Sequence, residues 1–441
     1  MDPLARSRPA GRCLVLFGAL SLAAASGRAA EPSAPEPLTL EKALALAESQ
    51  GFDLLLADAA VRGAEGDLRV AREFLNPLFS GTYLHSTDVP LGDGTTTTSS
   101  GYALSLSDQG VVEGLLTGKR SLTVKAAERS LLGARANRED ALRQLRLAVA
   151  EEFFTVLLAE AVESVDREVA GTYSRTLDLV AARYQFGAVS EAEHARIETA
   201  KLEADQAVTA ASSQVQQEKS SLAFLVGYQE TPPGFEVAGS LEKGPPDWIA
   251  SVDTAALRSE ALANRPDLAA ARADLERADA ALSLSRRERV PNVSVNAGYG
   301  RQGPETNPVT PPTFSAGATF ELPLLNQRQG AIARAEADLE SAKVAFSRAA
   351  ARANADVDAA WSAYAASREQ TERQRKGLNA SARRSRELAE LQYQSGATSL
   401  LDLLDAVRTE LAVALEYQQG LAALRAAGAR LEAAVGRGIT P

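Results

Sequence analysis

The strongest constraint on this chain is that it repeats itself. Gly51-Phe52-Asp53-Leu54 parallels Arg265-Pro266-Asp267-Leu268 at an offset of 214, and Ala127-Glu128 parallels Ala335-Glu336 at 208. Tyr184-Gln185-Phe186-Gly187-Ala188-Val189-Ser190 parallels Tyr393-Gln394-Ser395-Gly396-Ala397-Thr398-Ser399 at 209. Offsets that drift so little mean one structural unit used twice with small loop differences, and a period this long is no solenoid. The first unit is placed at 30–230 and the second at 251–441. Between them, the linker 231–250 is rich in proline and glycine and carries no sustained periodicity.

Each unit reads as a helix, a strand pair and two very long helices. The first helix is expected from Leu40 to about Leu75, and from Thr254 to about Glu288 in the second copy. Each ends before a proline, Pro77 or Pro291, which disfavours continuing the turn. Beyond each proline the hydrophobic period falls to two. Val293, Val295, Ala297 and Tyr299 alternate with polar or small residues, as do Phe314, Ala316, Ala318, Phe320 and Leu322, and Tyr102, Leu104 and Leu106. Strands are therefore expected at about 78–88, 101–108, 291–301 and 313–322, with polar loops Asp88–Ser100 and Gln302–Pro312 between partners. Ten-residue strands with one apolar face suit an outer membrane, and the aromatics Tyr83, Tyr102, Tyr299, Phe314 and Phe320 would supply its girdle. An ordinary sheet half-buried against helices has the same pattern.

Helical periodicity then runs from about Lys119 to Gly227 and from about Gln329 to Gly436, with an interruption near Gly187 and near Gly396. Half of such a run, at 1.5 Å per residue, reaches on the order of 100 Å. Lys201, Val208, Val215 and Leu222 recur every seven residues, as do Leu400, Val407, Ala414, Leu421 and Gly428, the spacing of coiled-coil packing.

Composition narrows the chemistry. The 441 residues include one cysteine and two histidines, so zinc fingers, disulfide frameworks and thiol–metal centres are excluded, and no nucleophile, base and orienting group can be assembled. We expect no enzyme, no cofactor and no metal site. A net charge of −10 argues against nucleic-acid binding. Arg6, Arg8 and Arg12 precede the apolar run Cys13–Ala25 and the small residues Gly27-Arg28-Ala29, which reads as a secretory signal at 1–29. Its removal takes away four arginines and one aspartate and leaves about −13. Cys13 stands before the apolar run, so it is no lipoprotein cysteine, and the exported chain is cysteine-free. Later apolar stretches are interrupted by charge, as Leu145–Val162 is by Arg146, Glu151, Glu152 and Glu160, so no inner-membrane helix is expected.

Four strands cannot close a barrel, and open edges cannot face lipid, so membrane strands here require several protomers in one barrel. The alternative is a soluble periplasmic coiled-coil adaptor or scaffold, which shares the signal and the hairpins but has no need of strands alternating in both copies.

The duplicated unit, Arg265-Pro266-Asp267-Leu268 and the two Tyr-Gln-x-Gly-Ala-x-Ser turns resemble the TolC family of outer-membrane efflux ducts, and Leu322-Pro323-Leu324-Leu325-Asn326-Gln327-Arg328-Gln329-Gly330-Ala331 resembles its heavy-metal branch. The resemblance implies a mainly α fold with a small transmembrane β part. Three chains would form a twelve-stranded barrel continued by a periplasmic helical barrel, a passive duct through outer-membrane lipid. Its partners would be a periplasmic adaptor and an inner-membrane RND-type pump.

The resemblance also assigns residues. Adaptor hairpins would dock at Tyr184, Gly187, Ala188, Ser190, Tyr393, Gly396, Ala397 and Ser399. Asp402 and Asp405 match carboxylates ringing a duct entrance, and Glu193 and Tyr393 match gate positions. Thr398 stands where the family's gating arginine would be, and Leu325 where an aromatic is common. A solvated helix face would account for the carboxylates equally well, a plain helix-hairpin turn would need no partner, and His85 and His194 carry no signal of their own.

Overall fold

The computed structural model describes residues 37–439 apart from 91, 109, 245–247, 250–252, 305–310 and 321. The signal read at 1–29 lies outside the described residues. The first repeat comprises α1 (Leu40–Gln50), α2 (Phe52–Arg72), β1 (Leu78–Pro90), β2 (Thr96–Ser107), α3 (Val111–Thr117), α4 (Lys119–Gln185) and α5 (Glu191–Leu225). The second comprises α6 (Thr254–Asn264), α7 (Pro266–Arg287), β3 (Val293–Pro304), β4 (Thr313–Phe320), α8 (Gln329–Arg373), a π-turn (Gln374–Leu378), α9 (Asn379–Gln394) and α10 (Leu400–Val435).

The single first helices expected at 40–75 and 254–288 are each two helices. In the first repeat the break is at Gly51, which is extended at φ −61° and ψ 129°. A Cβ there would lie 2.5 Å from the Ala47 carbonyl oxygen and 2.8 Å from Leu145 Cδ2, so only glycine fits against α4. In the second repeat Pro266 opens α7 and holds Arg265 extended at φ −69° and ψ 125°. Arg265 is buried and ion-pairs with Asp267 at 2.7 Å and with Asp356 of α8 at 3.0 Å, while donating to the Ala434 carbonyl of α10 at 3.3 Å. Burial opposes the Arg265 charge, and the two carboxylates outweigh it and raise its pKa. The Arg-Pro-Asp-Leu motif is thus a clamp joining three helices.

The two strand pairs form one antiparallel sheet in the order β1-β2-β3-β4, and β2 pairs with β3 across the repeats, Leu104 opposite Tyr299. β1 and β2 extend beyond the expected 78–88 and 101–108, because Thr96, Thr97 and Ser99–Gly101 pair with β1 and take most of the expected loop into the ladder. Phe79, Tyr83, Phe314 and Phe320 are all exposed, and β4 is exposed along its whole length. The sheet therefore is not packed half-buried on the helices. Its outer edges are β1 and β4.

At the β2–α4 junction, which lacks a proline, the Asp108 carboxylate accepts from the backbone N–H of Val111 (2.8 Å) and Val112 (3.1 Å) and caps α3. Gly110 at φ 106° and Gly118 at φ 69° make the two turns around that short helix.

One expected continuity fails. α4 runs unbroken for 67 residues, whereas the matching run of the second repeat passes from α8 to α9 through the π-turn. The repeat offset gives the reason. It is 208 at Ala127/Ala335 and 209 at Tyr184/Tyr393, so the second repeat holds one extra residue between these points, and a π-turn is how a helix absorbs one.

Helices pack through alanine and leucine. Of the seven-residue series, Val215, Leu222, Leu400, Val407 and Leu421 are buried. A central core joins Leu44, Val149, Phe153, Phe154, Leu222 and Leu421. A distal core joins Tyr173, Val180, Ile197, Tyr393, Leu400, Leu403, Leu404 and Val407.

Candidate functional site

The distal core ends in two helix-reversing turns built by the same rule. After α4, Gly187 takes φ 70°, its N–H donates to the Tyr184 carbonyl (2.9 Å), and the Ala188 N–H donates to the Arg183 carbonyl (2.9 Å). After α9, Gly396 takes φ 78° and donates to Tyr393 (3.0 Å), and Ala397 donates to Gln392 (2.8 Å). These bonds satisfy the last helical carbonyls. Ser190 and Ser399 then cap the next helices, accepting at Oγ from the N–H of Glu193 and of Asp402, each at 3.2 Å. Tyr-Gln-x-Gly-Ala-x-Ser therefore encodes a C-cap and an N-cap four residues apart. A Cβ at either glycine would meet nothing within 4 Å, so the left-handed φ, and not space, demands glycine.

The two tips differ in what they show to solvent. Gly187, Ala188, Ser190, Gly396, Ala397 and Ser399 are all exposed. Tyr184 is 42% exposed, its ring stacked on His194 at 5.3 Å, and the adjacent Phe186 is 88% exposed. Tyr393 departs from expectation. Read as a surface docking residue, it is only 3% exposed, because its ring fills the seam between the hairpins beside Ile197 and Leu400. Its hydroxyl has no hydrogen-bond partner among the described residues. Burial raises the Tyr393 pKa, the Glu193 charge raises it further, and Arg183 opposes both.

Arg183 is the residue that sequence reasoning missed. It reaches from α4 to the second tip, donating to the carbonyls of Tyr393 (3.3 Å) and Gln394 (2.8 Å) with its guanidinium 5.1 Å from the Tyr393 ring centroid. A cation on the last carbonyls of α9 complements that helix end. A basic residue one place before the turn motif was the available signal.

Asp402 and Asp405 lie one turn apart on the exposed face of α10, opposite buried Leu403, Leu404 and Val407. Asp402 Oδ2 accepts from Ser399 Oγ (2.7 Å), Thr398 Oγ1 (2.9 Å) and the Ser399 N–H (3.2 Å). These bonds complete a capping box and hold the carboxyl below the usual range, the Ser399 hydroxyl contributing most. Thr398 thus bonds within its own turn. Glu193 is the positional counterpart of Asp402 on α5 and is half-buried. The structure therefore groups Glu193, Tyr393 and Arg183 in the tip seam, and places Asp402 and Asp405 on another face.

Among the described residues no three His, Cys, Asp or Glu side chains gather as a metal site, and no helix is long and apolar enough to cross a membrane.

The sequence matches the outer membrane efflux protein family over residues 43–228 and again over 257–437. The chain belongs to that family. It is 24% identical over 401 residues to the cobalt-zinc-cadmium resistance protein CzcC of Cupriavidus metallidurans, covering 91% of this chain and 90% of the relative. It is 27% identical over 407 residues to the pyoverdine export outer membrane protein OpmQ of Pseudomonas aeruginosa, covering 89% and 82%. A crystal structure of CusC superimposes with a TM-score of 0.75 at 20% identity, covering 90% of this chain and 92% of that one. The protein is an outer-membrane efflux channel with its helical part in the periplasm. Membership sets aside the soluble adaptor or scaffold alternative.

Proposed function

We propose that three copies of this chain form the exit duct of a tripartite efflux system whose cargo is divalent metal cations. The observation that carries this reading is the four-stranded sheet. Its outer edges β1 and β4 need partners and its aromatics other than half-buried Tyr299 stand exposed, so placing β4 of one copy beside β1 of the next satisfies the edge backbone groups that lipid would leave unpaired. The hairpins then surround one periplasmic tunnel, and the turns at Gly187 and Gly396 face the adaptor, which links the duct to an RND-type pump. Tyr184, Phe186, Ala188 and Ser190 offer the adaptor an exposed, largely apolar surface on the first tip. Ala397 and Ser399 do so on the second, while Tyr393 acts from inside, holding the hairpins together with Arg183 and Glu193.

The similarity to CzcC over nearly the whole chain, with the stretch Leu322–Ala331, favours metal cargo over the pyoverdine of OpmQ. Asp402 and Asp405, repeated by threefold symmetry, would concentrate cations at the mouth by several kT. The capping bonds on Asp402 favour its ionised form. Energy would come from the pump, and this chain would supply the path.

The test is a strain lacking this protein, challenged with cobalt, zinc and cadmium salts and complemented by wild type or by Asp402→Ala with Asp405→Ala. Wild type should restore resistance, and single channels of the double variant in a planar bilayer should lose cation selectivity. Unrestored resistance would refute the cargo, and unchanged selectivity would refute the carboxylate ring.

A further inference from the structure

Three arginines in the described residues are buried, and one of them lacks a counter-charge at bonding distance. Arg265 has Asp267 at 2.7 Å, and Arg386 has Glu410 at 2.8 Å and Glu390 at 3.0 Å. Arg425 of α10 is 8% exposed, and no carboxylate ion-pairs with it among the described residues; burial lowers its pKa, and the charge of buried Glu432 only partly offsets this. Its Nη1 donates to the Gly244 carbonyl at 3.0 Å, its guanidinium lies 4.8 Å from the Phe154 ring centroid, and its Nε is buried with no partner. A buried guanidinium with an unused donor is costly unless an anion reaches it.

Arg425 lines a cleft of about 220 Å³ whose lining shares no residue with the hairpin tips. The floor is Phe153, Phe154 and Leu157 of α4, and Gly239 lies so close to them that a Cβ would stand 3.0 Å from Leu157 Cδ1 and Phe153 Cε1. Thr39 and Ser240 bring hydroxyls to the rim, and Glu41 is the one carboxylate among the lining residues. The walls are fixed, since Leu38 donates to the Glu236 carbonyl at 2.7 Å and Ala238 to the Leu38 carbonyl at 2.9 Å.

We propose that this cleft binds a small organic carboxylate, its anionic head on the Arg425 guanidinium and its aryl or short alkyl body on the Phe153, Phe154 and Leu157 floor. The apolar floor selects against inorganic anions, which would desolvate without replacing their lost water bonds. The arginine selects against the neutral amide of the same shape, because a charge-assisted bond is about twice as strong as a neutral one. Glu41 at the rim would repel the head group and so fixes which end enters. A ligand held there bridges α1 and α4 of the first repeat to α10 of the second.

Titration calorimetry on the full-length protein in amphipol, with benzoate and hexanoate as probes, tests this. Benzamide and inorganic phosphate are the comparators. One saturable site per protomer is expected for each carboxylate and none for either comparator, with a benzoate-dependent rise in melting temperature. Arg425→Gln should weaken benzoate by at least about tenfold. Ser240→Trp should abolish binding by filling the cleft while Arg425 stays in place, and being at an exposed rim position it keeps the test decisive if Arg425→Gln does not fold. Absent carboxylate binding, equal binding of benzamide, binding of phosphate alone, or carboxylate binding that survives Ser240→Trp would each overturn the proposal.

Discussion

The two hairpin tips share a turn and differ in almost everything around it. The first ends an unbroken α4, exposes Tyr184 and Phe186, and leaves Glu193 without the reciprocal bond of a capping box. The second follows the π-turn, buries Tyr393, and ties Asp402 back onto Thr398 and Ser399. The same contrast recurs in mid-helix. Glu152 of α4 lies near Glu218 of α5, whose proximity adds to burial in raising the Glu152 pKa, where the second repeat has Ala360 and Ala427 at offsets of 208 and 209. Duplication thus preserves the backbone device, while the seam it serves has diverged into one exposed, strongly polar copy and one closed, tightly packed copy.

The largest expected effect separates the tyrosines. Tyr393→Ala should destabilise the tip by about 3–5 kcal/mol through the cavity it leaves. Tyr184→Ala should stay within about 0.5 kcal/mol in the monomer, both read by urea melts and tip hydrogen exchange. Tyr393→Phe should be no less stable than wild type, since the hydroxyl it removes has no partner. Equal losses at Tyr184 and Tyr393 would break the comparison.

Next, Gly187→Ala and Gly396→Ala should each lower stability by about 1–2 kcal/mol, because both force alanine into a left-handed φ. Here the tips should agree, and a large difference would show that the shared turn geometry is wrong. A smaller effect concerns Gln374 in the π-turn, which is buried with both amide atoms unpartnered. Gln374→Met should raise stability by about 1 kcal/mol in thermal melts. A loss would mean that the amide has a partner the single chain does not supply.

The smallest effect is a pH slope. Burial, and then the neighbouring Glu218, push the Glu152 carboxyl up from 4.5 to about 7. The folded state therefore holds a proton that the unfolded chain has released, and this contribution to stability falls as pH rises from about 4.5 through about 7. Glu152→Gln should flatten that part of the melting-temperature profile and melt higher above pH 7, whereas Ala360→Gln in the second repeat should leave the slope unchanged. An unaltered slope in Glu152→Gln would contradict the raised Glu152 pKa.

Much of this was legible in the residues. The period-two runs and the Tyr-Gln-x-Gly-Ala-x-Ser motif are local signals, and local chemistry builds those elements: alternation sets the strand face, and glycine and serine set the caps. What escaped was non-local. The break at Gly51 depends on Leu145 approaching from α4, and a single period runs straight through it. Burial of Tyr393 and the reach of Arg183 depend on how one hairpin seats against the other. The π-turn was present as a one-residue step in the repeat offset, from 208 to 209, but helical periodicity over Gln374–Leu378 is not disturbed enough to mark it.

The central claim is that the edges β1 and β4 close a ring of three. The most direct measurement is disulfide cross-linking in outer membranes, with a cysteine on β1 at Ser80 or Leu84 and another on β4 at Ser315 or Ala318, Cys13 being the chain's one natural cysteine. The account predicts that at least one pairing gives oxidant-dependent dimers and trimers with nothing larger, and that single-cysteine chains do not. Monomers in every pairing, or a ladder continuing past three, would contradict it.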